Sequence, residues 1–232
     1  MTNDLGKTSQ IDEMIQLPRR RELGYLAIGF LVADYLVLSF AHCLPVLRDL
    51  PSDWNWSGKI TSIAFSCTLL GFWPRLRKDV GLHWRQSRGS KTLSICGFLA
   101  CLAVGVYFGF AEAPIAFSGM TFLFQFFMPG IDEEIAFRGI AMALIERAAG
   151  KSPQSDQLRY GKAALYTSLV FGLAHAISFE NGHLGFALFA FFLTGLFASL
   201  MAIVRTRSGS LLWPILSHCA WDGTLFFVRM LR

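Results

Sequence analysis

The chain has 232 residues, of which 53% are hydrophobic and only 16% charged, and its formal net charge is +5. Soluble domains carry about a quarter charged residues, so the composition excludes an ordinary soluble domain and indicates a membrane protein. The positive charge does not indicate nucleic-acid binding, because Lys and Arg cluster in short loops between apolar runs, as the positive-inside rule requires.

Apolar runs recur along the whole chain. The first 23 residues are polar, and no short apolar stretch there ends in a small-residue cleavage site, so we interpret the first run as a retained helix and not a signal peptide. A helix needs roughly 20 residues to cross a bilayer. The runs predict about seven spans, at residues 24–47, 58–74, 92–112, 119–147, 161–179, 184–204 and 209–229. The sequence therefore predicts an all-α polytopic membrane protein with a cytoplasmic segment 1–23 and a single membrane domain 24–232.

Basic residues fall in alternate loops. They precede the first span and lie between the second and third, fourth and fifth, and sixth and seventh spans, whereas the loops AEAPIAFSG and SFENGH lack Lys and Arg. This pattern predicts a cytoplasmic amino terminus. Arg229 and Arg232, after the last span, conflict with it.

The fourth span contains GIDEEIAFRG, with Asp132, Glu133, Glu134 and Arg138. Charged groups within a span are costly and usually face a cavity or a partner. Glu134 and Arg138 are four apart with the acid first, which favours an ion pair on one helix face. Glu133 points about 100° away and has no base three or four positions from it, so we expect an unpaired carboxyl suited to proton transfer. Asp132 stays unassigned, and Asp34, isolated in the first span, is interpreted as a packing or pore-facing residue.

Later spans add two histidines at a similar depth. His175 follows Phe171 by four residues, so the aromatic ring can hold it in place. His218 precedes Asp222 by four, so the carboxylate can accept from the imidazole and orient it. Counted inward from the basic loops, Glu133, His175 and His218 lie roughly 16–21 Å deep at 1.5 Å per residue. These residues meet near one plane if their helices pack together.

These residues form three ordered motifs, EExxxR (Glu133, Glu134, Arg138), FxxxH (Phe171, His175) and HxxxN/D (His218, Asp222). Over roughly residues 119–225 the chain resembles the CPBP family of intramembrane proteases, which includes the CAAX prenyl endopeptidases and bacterial Abi-type proteins. The resemblance implies a catalytic core in the last four spans and a bacterial cytoplasmic membrane as location. It also implies that Glu133 and His175 activate a water while His218 and residue 222 stabilise the oxyanion. The prenyl endopeptidases have Asn at this last position, and an ionised Asp222 cannot donate to an oxyanion, so Asp222 must be protonated or must orient His218.

The expected partner is a membrane-anchored peptide or a carboxy-terminal segment, reached from lipid or from the aqueous face. Glu180, Asn181 and His183, just beyond His175, are candidates for contacting its polar end. No cofactor is expected.

Three alternatives remain at this point. Glu133, Glu134, His175 and His218 are acceptable zinc ligands, although the chain has no HExxH, and its five cysteines form no CxxC pair. A transporter would also place carboxylates and histidines in its spans, but no inverted repeat is visible. A non-catalytic immunity or scaffold protein would keep the same polar core.

Overall fold

The computed structural model describes residues 20–47, 50, 54–150, 161–178 and 184–232, and within these ranges the chain is helical with no strand. The long helices are separated by short connections. They are α1 (Arg20–Phe40), α2 (Trp56–Phe72), α3 (Pro74–Val80), α4 (Lys91–Ala111), α5 (Gly119–Glu133), α6 (Met142–Ala148), α7 (Lys162–Ser178), α8 (Leu184–Ser208) and α9 (Leu212–Leu231). Two short 3-10 turns, Ala41–Cys43 and Pro45–Leu47, follow α1, and a π-helical segment, Glu134–Ala141, joins α5 to α6.

The all-α prediction is confirmed, and each predicted span coincides with a helical stretch. Three stretches are long and apolar enough to cross a membrane, Arg21–Cys43, Lys91–Ala111 and Leu184–Ser208, and Lys162–Ile177 is apolar but shorter. The number of crossings therefore stays a prediction. The segment predicted to be cytoplasmic, residues 1–23, overlaps the first helix, because α1 already begins at Arg20. Residues 1–19 and the polar turn Glu180, Asn181 and His183 lie outside the described residues.

The basic loops meet at one end of the helices. Arg147, at the end of α6, forms an ion pair with Asp79 of α3 and donates to the carbonyl of Arg75. Arg205, near the end of α8, donates to the Asp79 carbonyl at 2.7 Å. Three loops that the sequence assigns to one side of the membrane are thus in contact, whereas their assignment to the cytoplasm remains a prediction.

Arg229 and Arg232, which conflicted with the charge pattern, have local partners at the opposite end. Arg232 Nη1 donates to the carbonyls of Gly109, Phe110 and Glu112 at 3.1, 2.7 and 3.0 Å. A cation is favourable at this position, because α4 ends there and its last carbonyls carry partial negative charge. Arg229 lies 2.8 Å from the Glu112 carboxylate. Helix capping and ion pairing therefore explain why these two basic residues lie at this end of the helices.

Helix α9 lies between α4 and α5 at very short range. A Cβ on Gly130 of α5 would stand 2.6 Å from Cys219 Sγ and 3.0 Å from Cys219 N, and a Cβ on Gly105 of α4 would stand 2.6 Å from the Trp221 carbonyl oxygen. Side chains at either position would push the helices apart. These glycines allow the approach that brings His218 of α9 to the acids at the end of α5.

The π-helical segment Glu134–Ala141 runs through the centre of the bundle. Its wider turn follows Pro129, which lacks the backbone N–H that an α-helix uses. The side chains of Glu134, Arg138 and Ile140 are fully buried. Segments of this kind occur frequently at functional sites, and here the segment begins directly after Glu133.

Candidate active site

Glu133 is the last residue of α5, and its two carboxylate oxygens face different partners. Oε1 accepts a hydrogen bond from Lys59 Nζ of α2 at 2.7 Å. Oε2 is buried, accepts no hydrogen bond from the described residues, and lies 3.9 Å from both His175 Nε2 and His218 Nε2. The structure thus brings together the three residues that the sequence placed at one depth.

The expectation that Glu133 is unpaired is wrong. Its counter-charge does not lie on its own helix, because the cation comes from α2, 74 residues earlier in the chain. A signal was present, because Lys59 is the one Lys or Arg near the start of the predicted span 58–74. A basic residue inside a span usually pairs with an acidic residue, and here Glu133 is that partner of Lys59.

His175 is oriented by the residue one turn before it. Its Nδ1 lies 3.0 Å from the Phe171 carbonyl oxygen, which can only accept, so Nδ1 carries the proton. In the neutral ring, Nε2 is then an acceptor directed towards Glu133. The Phe171 ring lies against the imidazole, with centroids 4.4 Å apart, as the spacing predicted.

Glu134 links the predicted ion pair with Arg138 to the second histidine. Its Oε1 lies 3.2 Å from Arg138 Nη1 and 2.9 Å from His218 Nδ1, and both side chains of the Glu134–Arg138 pair are completely buried. The Arg138 guanidinium also stacks 4.4 Å above the Phe171 ring centroid. The predicted pair is present, and Glu134 additionally sets the orientation of His218, which spacing within one helix did not indicate.

Asp222 contacts the other side of His218. The distance from His218 Nε2 to Asp222 Oδ2 is 3.4 Å. His218 thus has a carboxylate near each ring nitrogen, and the two negative charges stabilise the ring when both nitrogens carry a proton. Of the two roles considered for Asp222, this geometry favours orientation of His218.

Aromatic side chains enclose His218. The Phe197 ring lies 4.8 Å from the imidazole in an edge-to-face arrangement, and Trp221 lies 4.7 Å from Phe197. Phe171 closes a further side at 6.2 Å. Such walls exclude water and strengthen the electrostatic interactions inside them.

Asp132 and Asp34 belong to a buried polar chain that extends from the site. Asp132 Oδ2 accepts from Lys59 Nζ at 2.8 Å, and its Oδ1 contacts the Ser62 hydroxyl, which also contacts Asp34 Oδ1. Asp132 is 2% exposed, so it fills a polar seam and does not line a cavity. The interpretation of Asp34 as isolated is wrong, because Ser62 connects it to Asp132.

The residues present do not fit a zinc site. Within the described part of the chain, no group of three or more His, Cys, Asp or Glu residues is arranged to hold a metal ion. One oxygen of Glu133 is already bound to the Lys59 ammonium, which would repel a cation, and His218 Nδ1 is bound to Glu134.

Residues 115–224 match the family model described as type II CAAX prenyl endopeptidase Rce1-like. The matched range contains all three motifs, from Glu133 to Asp222, whereas Asp34, Lys59 and Ser62 precede it. No curated protein and no solved structure gives a significant match to the chain. The family match confirms the resemblance drawn from the motifs, and the apolar helices are those of an integral membrane protein. This part of the chain is therefore similar to the Rce1-like domains of the CPBP/CAAX protease family.

Proposed function

We propose that the protein is an intramembrane endopeptidase in which Glu133 and His175 activate a water molecule. The observation that carries the proposal is the position of Glu133 Oε2, 3.9 Å from His175 Nε2. A water with two hydrogen bonds of about 2.8 Å spans this separation at an angle near 90°. Both atoms are acceptors, so such a water donates one hydrogen bond to each of them. One of its lone pairs then faces the scissile carbonyl carbon.

Hydrolysis then follows general acid–base chemistry. As the water oxygen bonds to the carbonyl carbon, Glu133 takes the water proton and the carbonyl oxygen becomes an oxyanion. Glu133 returns the proton to the amine as the C–N bond breaks, which releases the two peptide fragments.

His218 is proposed to stabilise the oxyanion from Nε2. Because Nδ1 donates to Glu134, donation from Nε2 as well requires the cationic ring. The carboxylates of Glu134 and Asp222, at 2.9 and 3.4 Å, support that charge. Asp222 then acts through His218.

The substrate is proposed to be a membrane-anchored peptide or a carboxy-terminal segment, cleaved in a bacterial cytoplasmic membrane. Exposure within the site supports entry past α7 and α9, since the side chains of His175 and Asp222 are 26% and 21% exposed. The side chains of His218 and Glu134 are deeply buried behind them. A substrate carbonyl would thus meet Glu133 first and His218 deeper in the site.

Comparison of membrane fragments tests this function. We expect carboxy-terminal fragments of one or a few membrane proteins in cells with the wild type and their absence in cells with Glu133→Gln. A transporter or a non-catalytic scaffold predicts the same fragments in both strains. An unchanged fragment set, with both proteins present at equal levels in the membrane, would reject the protease function.

Removal of metal tests the zinc alternative separately. We expect purified protein treated with chelator and dialysed free of metal to keep its full rate on a peptide from the identified fragment. The reason is that the Lys59 ammonium already neutralises Glu133. Loss of cleavage that returns when Zn²⁺ is added would contradict the metal-free mechanism.

A further inference from the structure

We propose that Lys59, which lies outside the matched domain, is a positioning residue for Glu133 during peptide hydrolysis. The inference rests on the proposed function. Lys59 Nζ lies 2.7 Å from Glu133 Oε1 and 2.8 Å from Asp132 Oδ2, and the Lys59 side chain is only 10% exposed. Among the described residues its ammonium pairs with Asp132 and Glu133 and with neither histidine, so its action on the reaction passes through Glu133.

The contact with Lys59 determines the orientation of the Glu133 carboxylate. A carboxylate rotates about its last side-chain bond, and this terminal torsion has a broad energy profile. An ammonium on Oε1 removes that freedom and leaves Oε2 facing His175 and His218. Lys59 also balances two carboxylates on adjacent residues, Asp132 and Glu133, which would otherwise repel each other in a medium of low dielectric.

The position of Lys59 follows from the local sequence. Asn55 caps α2, because its side-chain oxygen accepts from Gly58 N at 2.9 Å and its side-chain nitrogen donates to the Leu38 carbonyl at 3.0 Å. The first bond starts the helix, and the second joins it to α1. Lys59 lies in the first turn of α2, so this cap places it opposite the end of α5.

The Lys59 ammonium is also held by Asp132, which has polar partners of its own. Asp132 binds Lys59 with Oδ2 and the Ser62 hydroxyl with Oδ1, and Ser62 also contacts Asp34. Helices α1 and α2 therefore supply a charged support that the three family motifs do not contain.

Kinetics of Lys59 variants separate positioning from a general effect on folding. With a peptide from the Glu133-dependent fragments, we expect Lys59→Met to lower kcat by about 100-fold and to change KM less than threefold. Lys59→Arg keeps a cation and donors, and we expect it to retain at least about a tenth of the wild-type kcat. Lys91→Met, at an exposed lysine at the start of α4, is the matched control and should match the wild type.

A double variant excludes the purely structural explanation. Lys59→Met leaves two buried carboxylates without their cation, so it can also lower stability. Lys59→Met with Asp132→Asn removes one of these charges, and we expect its melting temperature to move back towards the wild type while kcat stays low. Recovery of kcat together with the melting temperature would overturn the positioning role.

Two further outcomes also contradict the inference. One is a Lys59→Arg protein that melts like the wild type but is as slow as Lys59→Met. The other is a folded Lys59→Met protein with the wild-type kcat. Failure of the proposed function is a different result, since cleavage would then persist in Glu133→Gln whatever residue occupies position 59.

Discussion

Replacement of Glu133 by Gln is expected to lower kcat for peptide cleavage by about 1,000-fold, within the range of general-base catalysis. Gln has the same size, and its amide oxygen can still accept the hydrogen bond from Lys59 that Oε1 accepts at 2.7 Å. The amide cannot take a proton from water, so water activation is lost. We expect KM to change little, because the uncleaved peptide does not depend on the charge of Glu133 for binding.

Steady-state kinetics in detergent or in liposomes measure this effect. Glu112→Gln is the matched control, since Glu112 is an exposed acid whose side chain pairs with Arg229 at the far end of α4. The control should cleave at the wild-type rate, and both variants should melt within a few degrees of the wild type. A Glu133→Gln protein with undiminished kcat would show that Glu133 is not the general base.

Replacement of Arg138 by Met is expected to lower the free energy of unfolding by about 3–5 kcal/mol. Arg138 and Glu134 are both completely buried, and their closest charged atoms are 3.2 Å apart. Removal of the guanidinium leaves the Glu134 carboxylate inside the protein, with His218 as its remaining ionic partner among the described residues. It also removes the cation stacked on Phe171.

Unfolding titrations in mixed micelles measure this loss. Arg85→Met, at an exposed arginine in the loop between α3 and α4, should change stability by less than about 0.5 kcal/mol. Glu134→Gln combined with Arg138→Met should recover much of the stability, because replacing both members of a buried pair leaves no lone charge. The double variant should still cleave slowly, since His218 loses the Glu134 carboxylate at Nδ1. Equal stability of Arg138→Met and the wild type would show that the pair does not brace the site.

The sequence by itself determined the helical class and the residues of the three motifs. Apolar runs of near-spanning length predict helices regardless of how those helices pack, because backbone groups in lipid must bond within their own segment. The Glu134–Arg138 pair was predictable for a related reason. Both residues lie on one helix, where a separation of four positions places them on one face.

The partners of the proposed catalytic residues depend on how the helices pack. Lys59–Glu133, His218–Glu134 and the Asp34–Ser62–Asp132 chain each join different helices. Such contacts depend on how far each helix is rotated and how closely it approaches its neighbour, and periodicity along one helix contains neither quantity. Between α5 and α9 the close approach is permitted by Gly130 against Cys219. Spacing within α5 therefore identified Glu133 as the distinctive carboxyl, while the packing of α2, α7 and α9 determined which cation and which histidines it faces.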